Sequence, residues 1–460
     1  MKEKIGKFMR EIDIELWKLG VPSKTKHNEV APAQHELAPI FATANVASDQ
    51  NQLIMETLQK VANRHDLACL LHEKPFRGVN GSGKHDNWSL VTDTGKNLFS
   101  PGKQPKENLT FLVFLAAIIE AIDKHADLLR LSASTAGNDH RLGGNEAPPA
   151  IISIFLGESL SEMLYHVARG EESDSFTKEF MEMGVATLPK LKKEVTDRNR
   201  TSPFAFTGNK FEFRMFPSSG CISEANVIIN TIVADTLNDF ALELEKGEDL
   251  QKTVKRLVRH TLKKHGRILF NGNGYSEEWV EEAARRELPN FASTVDVLPA
   301  LIAPKAIDLF GKMKVFTEVE LHSRYEIMVE EYYKTINIEA RTMLGMAKTQ
   351  IMPAVLTYMT QVAQNVSMMT SIGQFDIEPQ SQLLGELNRL FNGLKKSIDA
   401  LEAAHAKAVE IHDGLEKAQA FHQAVLPEME TLRDVVDALE TIVNEQIWPI
   451  PTYSELLFRV

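Results

Sequence analysis

Four short stretches of the chain gather residue types that do chemistry together. The first is Glu29-Val-Ala-Pro-Ala-Gln-His-Glu36. Pro32 disrupts strict strand pairing, and a bulge there would bring both carboxylates to one side. Clustered carboxylates repel unless positive charge lies between them, and a hard divalent cation, Mg²⁺ or Mn²⁺, is one answer. On this segment alone, two solvated surface glutamates are the simpler reading. The second stretch runs from Lys74-Pro-Phe-Arg77 through Asn80-Gly-Ser-Gly83 to His85-Asp-Asn-Trp-Ser89. Its glycines let backbone amides approach a ligand closely. His85, Asn87 and Ser89 recur at period two, so a strand would carry imidazole, amide and hydroxyl on one face. A hairpin with a polar outer face is the competing reading.

The third stretch, Arg141-Leu-Gly-Gly-Asn-Glu146-Ala-Pro148, is a Gly-rich loop with a paired Arg and Glu, suited to gating, to acid/base work or to a surface ion pair. The fourth is Asp197-Arg-Asn-Arg200-Thr-Ser-Pro203 followed by Phe211-Glu-Phe-Arg214-Met-Phe216. In a strand, Phe211, Phe213 and Met215 fall on one face and Glu212 and Arg214 on the other, where they are solvated or line a cleft.

The elements that position these residues follow from texture. Up to about Ser219 the chain mixes short strand-like runs, Gly-rich turns and a few helices; from about Glu224 to Ala363 it reads as mostly helical. Ala68 to Leu71 and Trp88 to Val91 read as strand-like flanks of the second stretch. From about Gln380 to Gln446, apolar residues at spacings of three and four (Leu383, Leu387, Leu390, Leu394, Ile398, Leu401) predict a long antiparallel helical hairpin, with its turn near Gly414. His405, His412 and His422 lie on it at spacings that suit solvated or interface histidines better than ligands. The segment Gly157 to Val195 also reads as helical.

Composition narrows the partners. Among 460 residues, 63 acidic and 51 basic side chains give a formal charge of −12, so nucleic acid and anionic membrane have no electrostatic attraction to this chain. Two cysteines, Cys69 and Cys221, cannot build a disulfide framework or a Cys-rich zinc site and fit a reduced, cytoplasmic setting. No apolar run reaches the ~20 residues that span a bilayer, the longest, near Phe111 to Ile122, being interrupted at Glu120.

Taken in order, the four stretches resemble the catalytic domain of glutamine synthetase. Lys74-Pro, Asn80-Gly-Ser-Gly-x-His85 and Ser89 match that family's ATP-region signature without a gap. The Glu29 segment resembles its Glu-Val-x-Pro-Ala-Gln-x-Glu run, Arg141 to Pro148 its glutamate flap, and Glu212-Phe-Arg214 its Glu-x-Arg strand. The Asp197-Arg-Asn-Arg-Thr-Ser-Pro-Phe-Ala-Phe wording, the helical insert, the helical C-terminal extension and Trp448-Pro-Ile-Pro-Thr-Tyr453 resemble the type III subfamily. The resemblance implies an α+β fold: a catalytic domain over residues 1–345, with antiparallel sheet, helices and an insert at about 157–195, incomplete at its N-terminus, then a helical extension over 346–460. It implies ATP-dependent ligation of ammonia to glutamate through γ-glutamyl phosphate in a ring-shaped homo-oligomer.

Residue by residue, the resemblance has Glu29 and Glu36 holding one Mg²⁺ or Mn²⁺ and His85 and Glu212 helping to hold a second. Asn80, Gly81, Arg141 and Arg214 would bind glutamate, and Asn87 and Ser89 would face the nucleotide. Arg200 would neutralise the transferring phosphate. Glu146 would close over the intermediate and deprotonate ammonium. Three departures stand out. Only 28 residues precede Glu29, where the family has an N-terminal domain and a Glu-x-Glu strand; Ala205 stands where other types carry a phosphate-binding Arg; and the flap is one residue shorter. The chain is therefore expected to be the C-terminal part of a longer protein, short of carboxylate ligands to both metals and inactive or very weak alone. The competing functions are an inactive structural or interaction subunit of the same fold and a γ-glutamyl-amine ligase.

Overall fold

An apolar face at every second residue builds the sheet of this chain. A computed structural model describes residues 2–144, 147–170, 202–247 and 249–458, and the chain divides into two compact units, Met1–Ser323 and Arg324–Val460. In the first unit a hairpin of β1 (Ser23–Asn28) and β2 (His35–Pro39) stands apart from a four-stranded sheet. That sheet has the order β3-β6-β5-β4, with β3 at Gly83–Trp88, β4 at Ile154–Phe155, β5 at Phe204–Phe206 and β6 at Phe211–Pro217. β6 pairs antiparallel with both β3 and β5, while β4 and β5 run parallel.

One sheet face is an aromatic core. Phe204 stacks on Phe211 at 4.9 Å, Phe99 meets Phe211 edge-on at 5.3 Å, and Trp88 lies 5.7 Å from Phe99. Rings at these distances and tilts add to the burial of their large area. Because paired residues of an antiparallel ladder share a face, the register Asn87↔Glu212 and Ala205↔Glu212 sets these three side by side on the opposite face. The predicted strand at Ala68 to Leu71 does not form: those residues run as irregular chain. They are fastened by single hydrogen bonds instead, as from Ser218 Oγ to the Leu71 carbonyl at 2.6 Å.

Helix α1 (Glu3–Lys18) and helix α2 (Ala44–Arg64) pack together in the first unit. Helix α3 (Leu109–Lys124) is apolar almost all round, and eleven of its sixteen residues are buried, the pattern of a central helix. The two acids near its end, Glu120 and Asp123, are buried with partners. Asp123 meets His265 at 2.8 Å and Arg267 at 2.9 Å, and Glu120 takes Lys124 at 2.6 Å and the Thr261 hydroxyl at 3.1 Å. No helix among the described residues is long and apolar enough to cross a membrane. Helix α4 (Glu158–Arg169) opens the predicted insert; residues 171–195 lie outside the described residues. Helices α5 (Ser223–Leu244) and α6 (Leu250–His265) pack against α3.

The second unit begins within helix α7 (Glu318–Met346) and continues with α8 (Met352–Ile372), α9 (Glu378–Val409) and α10 (Leu426–Glu440). The predicted hairpin is α9 against α10, with Leu387, Leu390, Leu394, Ile398 and Leu401 buried. Gly414 does not terminate a helix there. Asp413 caps a short helix, its side chain accepting from the Glu416 amide, and Gly414 is that helix's first residue, facing Val329. His405 and His422 are held by Asn337 at 2.6 Å and Tyr332 at 2.9 Å, as interface histidines.

Candidate active site

The β1–β2 hairpin brings its carboxylates together by a turn and not by the bulge expected at Pro32. The Glu29 amide donates to the Gln34 carbonyl at 3.0 Å, and Ala33 takes a left-handed backbone with φ of +56°. His27 lies directly across from Glu36 in the ladder. Its Nε2 stands 3.0 Å from Glu29 Oε1 and 3.1 Å from Glu36 Oε2. Ligand atoms of these three residues lie within 4.8 Å of one another, all partly solvent-exposed. Burial, then a hydrogen bond and charge repulsion from Glu29, push the Glu36 carboxyl up to about 7; Glu212 pushes the same way and His27 opposes. Like charges this close share a proton in water alone.

Burial first, then the positive charges of Arg214 and Arg141, hold the His85 imidazole below its usual range, although Glu212 and Glu29 pull it up. His85 and Asn87 occupy the open face of β3 while Asp86 and Trp88 turn inward, as the period-two spacing predicts. A neutral imidazole keeps the lone pair that a metal ligand needs. Glu212 accepts from Arg214 at 3.1 and 3.3 Å. Arg214 is nearly fully buried and Glu212 only partly exposed, so the charged pair on β6 is not freely solvated. Asn87, beside Glu212, is exposed. Ser89 is engaged at the end of β3 by the Asn209 carbonyl at 3.0 Å and by Asn97 at 2.9 Å.

The glycines of the Asn80–Gly83 loop have a different neighbour from the ligand they suggest in sequence. A side chain on Gly81 would come within 2.5 Å of the Glu73 carbonyl and 3.1 Å of Arg141 Cγ, and one on Gly83 would overlap the Arg141 guanidinium. Arg141 is buried, with its donors on Asn138 Oδ1 at 3.1 Å and on the carbonyls of Arg214 (3.2 Å), Met215 and Phe216 (both 3.4 Å). Burial lowers its pKa to about 10, with Glu73 and Tyr275 opposing. The Asn80 carbonyl accepts from Gln34 at 2.6 Å, which ties this loop to the carboxylate hairpin.

Glu29, Glu36, His85 and Glu212 are thus electrostatic neighbours, with Arg214 and Arg141 beside them and Asn80 joined through Gln34. Glu146 and Arg200 lie outside the described residues. Ala205 is fully buried next to Glu212. Sequence reasoning missed His27, Gln34 and Glu73. His27 carried a signal, standing two residues before Glu29 in an extended run. Glu73 carried none, yet it is buried with its carboxylate on the Ser219 amide at 2.9 Å and hydroxyl at 2.5 Å, packed against Gly137.

Comparison with known proteins identifies the family. The model of the glutamine synthetase catalytic domain matches residues 1–152, and that of the glutamine synthetase C-terminal domain matches residues 253–370. A glutamine synthetase of Butyrivibrio fibrisolvens is 47% identical over all of this chain and 66% of its own length. A type-3 glutamine synthetase of Dictyostelium discoideum is 43% identical over all of this chain and 63% of its own. The chain therefore spans slightly under two thirds of these relatives. A cryo-EM structure of Plasmodium falciparum glutamine synthetase aligns over 70% of this chain and 58% of that one, at 16% identity and a TM-score of 0.45. On the similarity over all of this chain and the two matching domain models, the chain belongs to the glutamine synthetase family.

Proposed function

We propose that the intact protein ligates ammonia to L-glutamate at the expense of ATP, giving glutamine, ADP and phosphate, in the cytoplasm and as a ring-shaped homo-oligomer. The observation that supports this reading best is the convergence of three carboxylates, two imidazoles and a buried arginine from the hairpin, β3 and β6. The donor set fits Mg²⁺ or Mn²⁺. Carboxylate oxygens and imidazole nitrogen suit these ions, and Glu29 and Glu36, with His27 between their oxygens, set two carboxylates close enough for a divalent cation to relieve their repulsion. Glu29, Glu36 and His27 would hold one ion, His85 and Glu212 another. Bound there, such ions would neutralise the charge of the nucleotide phosphates.

The residues of the chain do the positioning. Asn80, Gly81 and Arg214 bind glutamate, while Asn87 and Ser89 face the nucleotide. Arg141 braces the site through the carbonyls of residues 214 to 216 and reaches the substrate carboxylate only by leaving them. A γ-carboxylate oxygen of glutamate attacks the γ-phosphorus of ATP, the bond to the bridging oxygen breaks and ADP leaves, with Arg200 neutralising the charge in transit. Ammonia then attacks the acyl carbon, a proton passes to Glu146, and the bond to phosphate breaks.

Phosphate release by the intact protein, measured with ATP and glutamate, tests the reading. Release is expected to depend on ammonia and to fall by at least a hundredfold in Glu212→Gln. Turnover indifferent to ammonia, or unchanged in that variant, would refute it.

A further inference from the structure

Phe213 and Phe216 are three residues apart, so a regular strand would turn them to opposite faces. Both are buried, and both pair with residues on the inward side of β3, Phe213 with Asp86 and Phe216 with Lys84. A bulge in β6 reconciles the two: Arg214 and Met215 together stand opposite His85 alone. The irregularity therefore falls where the two strands carry His85, Glu212 and Arg214.

A bulge interrupts the ladder, and a buried carbonyl left without a donor is costly. Here the donors come from side chains. The carbonyls of Arg214, Met215 and Phe216 all accept from the Arg141 guanidinium, at 3.2 to 3.4 Å. Asn138 comes closer, its Nδ2 donating to the Met215 carbonyl at 2.9 Å.

Asn138 is itself held from every side. It is fully buried; Nδ2 also donates to the Ala133 carbonyl at 2.7 Å, and Oδ1 accepts from Arg141 at 3.1 Å. Two carbonyls at one end of the amide and a guanidinium at the other fix its orientation. Its backbone lies in the single helical turn Ala136–Asp139, where the Thr135 hydroxyl accepts from the Asn138 amide at 3.1 Å. Asp139 fastens that turn by accepting from the Thr294 amide at 2.9 Å and hydroxyl at 2.7 Å. A side chain with all its donors and acceptors committed on a fixed element holds its partners to one geometry. In the reaction proposed above Arg141 leaves the β6 carbonyls for the substrate, and Asn138 then stays behind as a donor to the bulge.

We propose that Asn138 is a positioning residue: it holds the bulge of β6 and thereby keeps Arg214 opposite His85, in place to receive glutamate. The bulge stands on geometry alone, and the role in glutamate binding rests on the ligase reading.

Asn138→Ala and the isosteric Asn138→Asp test this in the intact protein. The aspartate keeps an acceptor for Arg141 but offers the Met215 carbonyl no donor, so both variants carry the same expectation. In phosphate-release kinetics the KM for glutamate is expected to rise about tenfold, with the KM for ATP kept within about twofold. A merely structural loss would remove active molecules, lowering kcat and leaving both KM values where they were. Hydrogen exchange at the amides of Phe213 to Phe216 is expected to quicken by about tenfold or more, whatever the activity. An unchanged glutamate KM in both variants, or an Asn138→Asp protein that behaves like the unsubstituted one, would overturn the assignment. No glutamate-dependent release by the unsubstituted protein would refute the ligase reading and the binding role with it, while unchanged exchange would overturn the hold on the bulge.

Discussion

The guanidinium of Arg141 occupies the space that a side chain on Gly83 would need. The glycine therefore serves the packing of a buried arginine, whose donors in turn fix the backbone of β6 beside Glu212. Gly83→Ala is expected to destabilise the fold by roughly 1–3 kcal/mol, the usual range for overpacking. In a double-mutant cycle with Arg141→Ala, urea unfolding should show the two losses to be strongly non-additive. Additive losses would mean that the two residues do not share this space.

Asp86, turned into the core beneath His85, has its carboxyl raised by burial from 3.8 to about 6, against a hydrogen bond from Asn226. Its Oδ2 has no partner among the described residues. The folded state holds this proton more tightly than the unfolded state, so stability falls as pH rises from about 3.8 to 6 and then levels off. Asp86→Asn, which mimics the protonated acid, is expected to gain roughly 1–3 kcal/mol above pH 6 and almost nothing below pH 4. Chemical denaturation across that range, without divalent metal, measures the difference.

Metal binding should depend on pH through Glu36. Its carboxyl titrates at about 7, so a proton competes with the ion below that value. Manganese EPR is expected to show affinity rising between pH 6 and 8, with a much weaker pH dependence in Glu36→Gln.

His27→Ala, His85→Ala and Glu212→Ala should each weaken manganese binding by roughly tenfold or more. Calorimetry on the three variants separates the two proposed ion positions. Unchanged affinity in both His85→Ala and Glu212→Ala would remove the second of them.

Glu73 offers a test of the buried charge behind the loop. Glu73→Gln keeps an acceptor for the Ser219 amide but removes the anion that offsets the buried charge of Arg141. A loss of roughly 1–3 kcal/mol in unfolding free energy is expected, with less loss in the background of Arg141→Ala.

Much of this was legible in the sequence, because periodicity fixes which side chains share a face within one element. The alternation of His85 and Asn87 with Asp86 and Trp88 and the separation of Glu212 from Phe211 and Phe213 both follow from a strand's period of two. So does the Leu stripe of α9 from a helix's period of 3.6. Relations between elements depend on register and packing, which no local spacing encodes. His27 meets Glu36 because a turn at residues 30–33 sets the ladder. Arg141 fills the space beside Gly83, 58 positions earlier, and Glu73 is fastened to Ser219 from 146 positions away. For Arg141 and Glu73 burial holds together groups far apart in the chain, for His27 and Glu36 the ladder register does so near the surface, and only the folded chain decides which ones meet.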